Sequence, residues 1–327
     1  MSRIMRYKNI LYLDEKENAY TRGIRDELQR ISGRVDCYFY YGIYLDPIFI
    51  RQLKPKENEK LKYKSIKLFL DFIKSNHYDI IFVGHPSLFP KYFFENIRTI
   101  FKNTPIINYN WSSIKMYNVL SYLDYFDKIY SFDRQDCRNY NLQYYPLFYL
   151  KEFENVGFKN RKIYNISFIG SAYNSGRLEF IKKWYEKVTD LNMTYFIYLF
   201  TPEIFKSVYT KIKYPKLSQF FFYHQLPMNE VVNKFSVSES MIDHPMTIQT
   251  GLTIRTFETL AAGLHLYTTN DAIRQEPFYS SDRITIIDKD IKDINFNGLY
   301  KIKPDKEWQE SFSVYRIDNW VRHIVCI

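Results

Sequence analysis

The stretch Gln249-Thr250-Gly251-Leu252-Thr253-Ile254-Arg255-Thr256-Phe257-Glu258-Thr259-Leu260-Ala261-Ala262-Gly263 decides how this chain reads. Met241-Ile242-Asp243 before it and Leu266-Tyr267-Thr268-Thr269 after it read as short strands. Gln249-Thr250-Gly251 reads as a turn, Leu252 to Ala262 as a helix, and Gly263 as its stop signal. Ile254, Phe257 and Ala261 fall at i, i+3 and i+7 and predict a core-facing stripe. Gly251, Arg255 and Glu258 fall at i, i+4 and i+7 and share another face.

That second face suits an anion. First-turn amides and the helix dipole favour negative charge at a helix start. Gly251 lets an anion approach the backbone. The Arg255 guanidinium can grip phosphate oxygens, and Glu258 can accept from sugar hydroxyls. The same spacing also describes a surface helix with an i,i+3 ion pair.

Further blocks occur in a definite order. They are Tyr130-Ser131-Phe132-Asp133 with Pro146-Leu147-Phe148-Tyr149, then Ile166-Ser167-Phe168-Ile169-Gly170-Ser171, then the central stretch followed by Thr268-Thr269-Asn270. With these blocks, residues 125–290 resemble GT-B glycosyltransferases, specifically the group similar to the CgeB-like (spore maturation) and surface-polysaccharide or lipopolysaccharide transferases. The resemblance implies two Rossmann-like domains facing a cleft: an acceptor side over 1–150 and a nucleotide-sugar side over 163–305. A helical tail over 306–327 would follow. It implies a nucleotide-sugar donor bound by Gly170, Ser171, His244, Gln249, Thr250, Gly251, Leu252, Arg255 and Glu258. The acceptor would be a surface glycan, free or lipid-linked. Many retaining members of the wider superfamily carry a second Glu eight residues before the ribose-binding one. Thr250 holds that position here, so a retaining mechanism built on that carboxylate does not carry over. An epimerase or hydrolase acting on sugar nucleotides, or a non-catalytic binding protein, could share the fold.

Composition is consistent with this. The chain has 327 residues, enough for two domains, with 46% hydrophobic and 19% aromatic residues, which excludes a disordered chain. No run of about 18 apolar residues predicts a membrane span, and the N-terminus does not read as a signal peptide. Cys37, Cys137 and Cys326 are widely spaced, which argues for reduced thiols and a cytoplasmic protein. Of the net charge of +10, residues 1–150 hold 23 Lys and Arg against 16 Asp and Glu, a net of +7. No nucleic-acid motif accompanies that charge. The helix expected over 56–76 carries Lys56, Lys60, Lys62, Lys64 and Lys67 beside Leu61, Ile66, Phe69, Leu70 and Ile73. That pattern fits either a solvated basic face or contact with the anionic inner face of the cytoplasmic membrane.

The rest of the chain alternates strand and helix. Strands are expected at 9–13, 34–41, 78–83, 105–109, 128–132, 142–148, 163–169, 194–200, 219–223 and 283–287. Helices are expected at 20–31, 56–76, 89–102, 113–123, 175–188, 229–235 and 307–326, with a linker at 150–162. Such alternation predicts parallel, doubly wound sheets with ligands at the strands' C-terminal ends. Asp14, Glu15, Glu17, His85, Trp111 and Asp133 fall at those ends in the first half. Asp14 or His85 could deprotonate an acceptor hydroxyl. The six histidines lack metal-ligand spacing. Asp288-Lys289-Asp290 has the form of a D-x-D metal motif, but it lies in a charged run typical of a solvated turn. No cofactor or metal is therefore expected, and the leaving diphosphate would be neutralised by a helix start and Arg255.

Overall fold

A computed structural model describes residues 7–40, 55–114, 119–172, 175–201, 210–246, 249–291 and 302–325. The chain divides into two units, 1–146 with 317–327, and 147–316.

The first unit runs β1 (Tyr7–Asp14), α1 (Ala19–Ile31), β2 (Ser32–Phe39), α2 (Pro55–Ile73), β3 (Ile80–Val83), α3 (Lys91–Ile100), β4 (Ile106–Asn110), β5 (Lys128–Ser131), α4 (Arg134–Tyr140) and β6 (Gln143–Tyr144). All strand pairs are parallel, in the order β2-β1-β3-β4-β5-β6. Ile10 to Leu13 are fully buried, as a central parallel strand covered on both faces requires. α1 starts where Asn18 accepts hydrogen bonds from the Tyr20 and Thr21 amides while Thr21 Oγ1 accepts from the Asn18 amide. Under the sheet lies an aromatic core, with Tyr38 stacked on Phe69 at 4.2 Å and Phe89 on Phe93 at 4.7 Å.

The second unit runs β7 (Tyr164–Ser171), α5 (Ser175–Asp190), β8 (Tyr195–Phe200), β9 (Phe221–Phe222), α6 (Met228–Ser236), β10 (Ser238–Asp243), α7 (Ile254–Ala261), β11 (His265–Thr268), β12 (Ile284–Ile286) and α8 (Lys306–Phe312). Its strands are also parallel, in the order β12-β11-β10-β7-β8-β9. Trp184 is completely buried in a core with Ile166, Ile197 and Leu199. The last helix, α9 (Ile317–Val325), belongs to the first unit. Its Trp320 indole donates to the Pro146 carbonyl at 2.9 Å and meets the Tyr109 ring at 4.6 Å.

Several elements differ from the sequence reading. The polar stretch 150–162 is a packed part of the second unit: Phe153 and Val156 are buried in 3-10 turns, and the Asn155 amide donates to the Ala261 carbonyl. The helix expected over 307–326 breaks at Tyr315–Arg316, where the Tyr149 amide donates to the Tyr315 carbonyl and Tyr149 bridges Arg316. That break sends α8 to one unit and α9 to the other. Val119–Tyr125 is a 3-10 turn, and residues 115–118 of the helix expected there lie outside the described residues. Asp133 is buried and caps α4 through the Gln135 and Asp136 amides, so this strand-end carboxylate has a structural task.

Candidate active site

Each sheet has one point where the chain reverses its direction of winding. In the first unit β2 lies on one side of β1 and β3 on the other; in the second, β8 lies on one side of β7 and β10 on the other. Crevices at such points bind ligands in open α/β sheets. The sequence-predicted residues collect at both.

In the first unit, β1 ends on Asp14, and β3 ends just before Gly84-His85. Asp14 is 1% exposed. Its Oδ2 accepts from the Tyr12 hydroxyl at 2.5 Å, and its Oδ1 accepts from the Glu15 amide at 2.7 Å. Tyr12 and Asp14 are two apart on one strand, so they share a face. Burial, and then the Asp14 carboxylate, push the Tyr12 pKa well above its usual range, which keeps that hydroxyl a donor. Gly84 is required: a Cβ there would lie 2.2 Å from Asp14 Oδ2. His85 Nδ1 lies 3.0 Å from Asp14 Oδ1. The Trp111 indole, one residue beyond β4, donates to the same Nδ1 at 2.6 Å. An indole N–H can only donate and a carboxylate can only accept, so Nδ1 serves one of them at a time. When Nδ1 carries the proton toward Asp14, the base is Nε2. The sequence marked Trp111 only as a strand-end residue; nothing local to it points at His85.

In the second unit, β7 ends on Gly170-Ser171 and β10 on Asp243, with His244 next. Arg177 of α5 ties the two ends together. Its Nη1 donates to the Ser171 carbonyl at 3.1 Å and hydroxyl at 3.0 Å. Its Nε and Nη2 donate to the His244 carbonyl at 3.1 and 2.9 Å. This residue escaped the sequence reading, because it sits inside an ordinary helix. His244 stacks on Phe180 at 4.2 Å and shares a 2.7 Å hydrogen bond between Nδ1 and the Thr269 hydroxyl. Burial, then Arg177 and Lys289, lower its pKa to about 4, so it is a neutral imidazole at neutral pH.

The central helix departs from expectation. It begins at Ile254 with Thr253 as N-cap, so Gly251 and Leu252 precede it. The Thr253 hydroxyl turns inward to Asp243 Oδ2 at 2.7 Å, joined there by Thr256 at 2.9 Å, and makes no capping bond to the first-turn amides. Burial raises the Asp243 pKa, and the two threonine hydroxyls pull it back. Asn270 fixes the turn, with Nδ2 donating to the Thr250 and Gly251 carbonyls at 3.1 and 3.2 Å. Gln249 is half-buried, Thr250 is exposed and Leu252 is packed in the core. From Thr256 to Ala261 the helix is buried on every side, not on the single stripe that its spacing predicted, and Ile254 is only half-buried. Glu258 is completely buried and pairs with Arg255 Nη1 at 2.5 Å; Arg255 also packs over the Phe235 ring. The i,i+3 pair thus has a fully buried carboxylate and a half-buried guanidinium, unlike a pair on a surface helix. Asp288-Lys289-Asp290 is an exposed turn, with the Asp290 amide bonded to Asp288 and its carboxylate to Lys183. Among the described residues no three metal-ligating side chains converge.

No protein-family model matches the chain, and no curated sequence is significantly similar to it. Solved structures do match its fold. A lipopolysaccharide outer core galactosyltransferase, WaaB, aligns over 97% of this chain and 99% of its own, with TM-score 0.59 and 10% identity. The trehalose 6-phosphate synthase of Burkholderia multivorans aligns over 98% and 96%, with TM-score 0.63 and 9% identity. A UDP-GlcNAc 2-epimerase from Methanocaldococcus jannaschii aligns over 94% and 99%, with TM-score 0.51 and 9% identity. The two parallel sheets with interleaved helices are the GT-B glycosyltransferase-type fold.

Proposed function

We propose that this protein is a glycosyltransferase that moves a sugar from a nucleotide-sugar donor to a hydroxyl of a surface-glycan acceptor. The observation that carries the reading is the chemical contrast between the two crevices. One holds Asp14 and His85, the groups that activate a hydroxyl. The other holds a helix start whose N-cap side chain, Thr253, turns away from the first-turn amides, and Arg177, groups that suit a leaving diphosphate. In this mechanism the α7 amides and the Gly251 backbone take the diphosphate, with no metal required. Both arginines already have partners. Arg255 pairs with the Glu258 carboxylate, whereas the described hydrogen bonds of Arg177 go to neutral oxygens of Ser171 and His244, so Arg177 keeps more charge for a phosphate. His85, with Nδ1–H held by Asp14, accepts the acceptor proton at Nε2.

The surface-glycan assignment draws on the sequence resemblance and on the likeness to WaaB. The outer face of α2 supports a membrane-borne acceptor. Leu61, Leu68 and Phe72, at i, i+7 and i+11, are exposed beside Lys60, Lys64 and Lys67. No described helix is long and apolar enough to cross a membrane.

The test is a thermal-shift and calorimetric panel of nucleoside diphosphates and nucleotide sugars. Ligand at 100 times its dissociation constant stabilises by about 2.7 kcal/mol. With the bound nucleotide sugar, label followed from sugar to acceptor separates transfer from hydrolysis or epimerisation. If no nucleotide binds, or if label never reaches any acceptor, the reading is wrong.

A further inference from the structure

A second recess in the first unit has no role in the chemistry above. It has a volume of 580 Å³ and lies between the first half of α2, Tyr40 after β2, and the turn Ser87–Pro90 after β3. Its walls continue the segments that hold the Asp14–His85 pair. The Tyr40 amide donates to the Asp14 carbonyl at 2.9 Å, and Ser87 follows His85 by two residues. The recess is therefore built on the same edge of the sheet as the proposed base.

Its lining combines two chemistries. The first is aromatic. Tyr40 meets Phe89 at 5.3 Å, and Tyr63 meets Tyr92 at 6.1 Å, both pairs tilted. Tyr63 is 59% exposed, a large ring that adds little to the core. Ring faces carry negative quadrupole charge and attract the polarised C–H face of a sugar. The second is cationic. Lys60 and Lys62 line the recess beside one acid, Glu59, whose contact with Lys62 is long at 3.5 Å; Glu59 is exposed, while Lys62 is half-buried over the Tyr40 ring at 5.8 Å. Such a pair is weak, so among the described residues no strong ion pair competes with an incoming anion for either ammonium group. A smaller recess of 210 Å³ shares Tyr63, Ile66 and Tyr92 and continues along α2 past Lys67 and the Lys74–Asp71 pair. Ring faces and ammonium groups lining one recess match a sugar that carries a negative group.

We propose that this recess binds the acceptor, and that the acceptor is a saccharide bearing a phosphate or carboxylate, stacked on Tyr63 and Tyr92 with its charge on Lys60 and Lys62. The proposal rests on reading the first unit as the acceptor side. The negative group could belong to a soluble sugar or to a lipid-borne headgroup, and the experiment separates them.

Calorimetric titrations of the full chain with glucose, glucose 6-phosphate and glucuronate form the first arm. Either anionic sugar is expected to bind at least about tenfold more tightly than glucose. Lys60→Gln/Lys62→Gln should erase that preference, and Tyr63→Ala should weaken every saccharide. These side chains are exposed or half-buried, and an unchanged melting temperature checks the fold. Vesicles carrying phosphatidylinositol 4-phosphate form the second arm, compared with phosphatidylserine vesicles of equal charge and using Leu68→Gln/Phe72→Gln/Lys64→Gln/Lys67→Gln protein, so that docking by the outer face of α2 is removed or common to both lipids. Lysine-dependent binding to vesicles alone assigns a lipid-borne acceptor; binding of the free sugar anion assigns a soluble one. Equal binding of charged and neutral sugars, absence of binding in both arms, or anion preference that survives the lysine changes overturns the proposal. Nucleotide titrations on the same samples keep the two readings apart. Lost anion preference with intact nucleotide binding rejects only this recess, whereas intact anion preference without nucleotide binding rejects the transfer reaction and with it the acceptor role, leaving an anionic-saccharide site.

Discussion

The two crevices share one topology and differ in their chemistry. In the first unit the strand ends carry titratable groups in contact: a buried carboxylate, an imidazole and an indole that competes for the same ring nitrogen. In the second unit the corresponding ends carry a guanidinium bonded to backbone carbonyls, hydroxyls, and a histidine held neutral. Parallel sheets fix where a crevice lies, because every strand presents its C-terminal end on one edge. They leave the side chains at that edge open, so one architecture can hold a proton acceptor in one unit and an anion cradle in the other.

The contrast can be broken experimentally, and the most severe test is kinetic. Asp14→Asn and His85→Gln should each lower the transfer rate by about 10²–10⁴-fold, the usual contribution of a positioned base, with nucleotide affinity unchanged. A loss of nucleotide affinity instead would dissolve the division of labour. Next in size is a stability effect. Arg255→Ala leaves the buried Glu258 carboxylate without the guanidinium, and denaturant melts should show a loss of about 3–5 kcal/mol. The double variant Arg255→Met/Glu258→Leu should recover most of it. Equal melts for wild type and Arg255→Ala would mean that Glu258 is not buried with its charge. Arg177→Ala should weaken nucleotide binding by about 10- to 100-fold, the size of lost charge-assisted hydrogen bonds. It should also raise the pKa of His244, since Arg177 helps to lower it, and NMR titration of that ring reads the shift directly.

A smaller effect follows from pH. Burial is the main cause that lowers the pKa values of His244 and His265 from 6.5 to about 4. Between those limits the unfolded chain takes up protons that the folded chain refuses. The stability is present above pH 6.5 and is lost as pH falls toward 4, by up to about 1.4 kcal/mol per pH unit for each ring. Asp243 works in the opposite sense, because its raised pKa gives stability that fades as pH rises through the folded value. Comparing wild type with His244→Gln cancels Asp243. The variant should show the shallower decline from pH 7 to 5, and parallel declines would remove His244 from the account. The smallest expected effect is none at all: transfer should persist in EDTA, because helix amides and Arg177 are the proposed neutralising groups. Manganese-restorable loss would return attention to Asp288 and Asp290.

By itself the sequence determined the alternation of strand and helix, the parallel sheets, and the strand ends that carry Asp14, His85, Ser171 and His244. Those are properties of local periodicity and of where an apolar run stops. It also made Arg255 and Glu258 neighbours, since residues three apart on a helix must meet. Whether that pair faced water or the interior was beyond it. Only the packing of other elements around α7 buried Glu258, and periodicity names a face without naming what covers it. The same holds for Arg177, which reaches a carbonyl 67 residues away, and for Trp111, which reaches a histidine 26 residues away. The break at Tyr315–Arg316 likewise depends on a backbone partner, Tyr149, from a distant part of the chain. Hydrogen bonds of this kind join residues that only the completed fold makes adjacent. Their donors and acceptors can be read in the sequence, but their partners cannot.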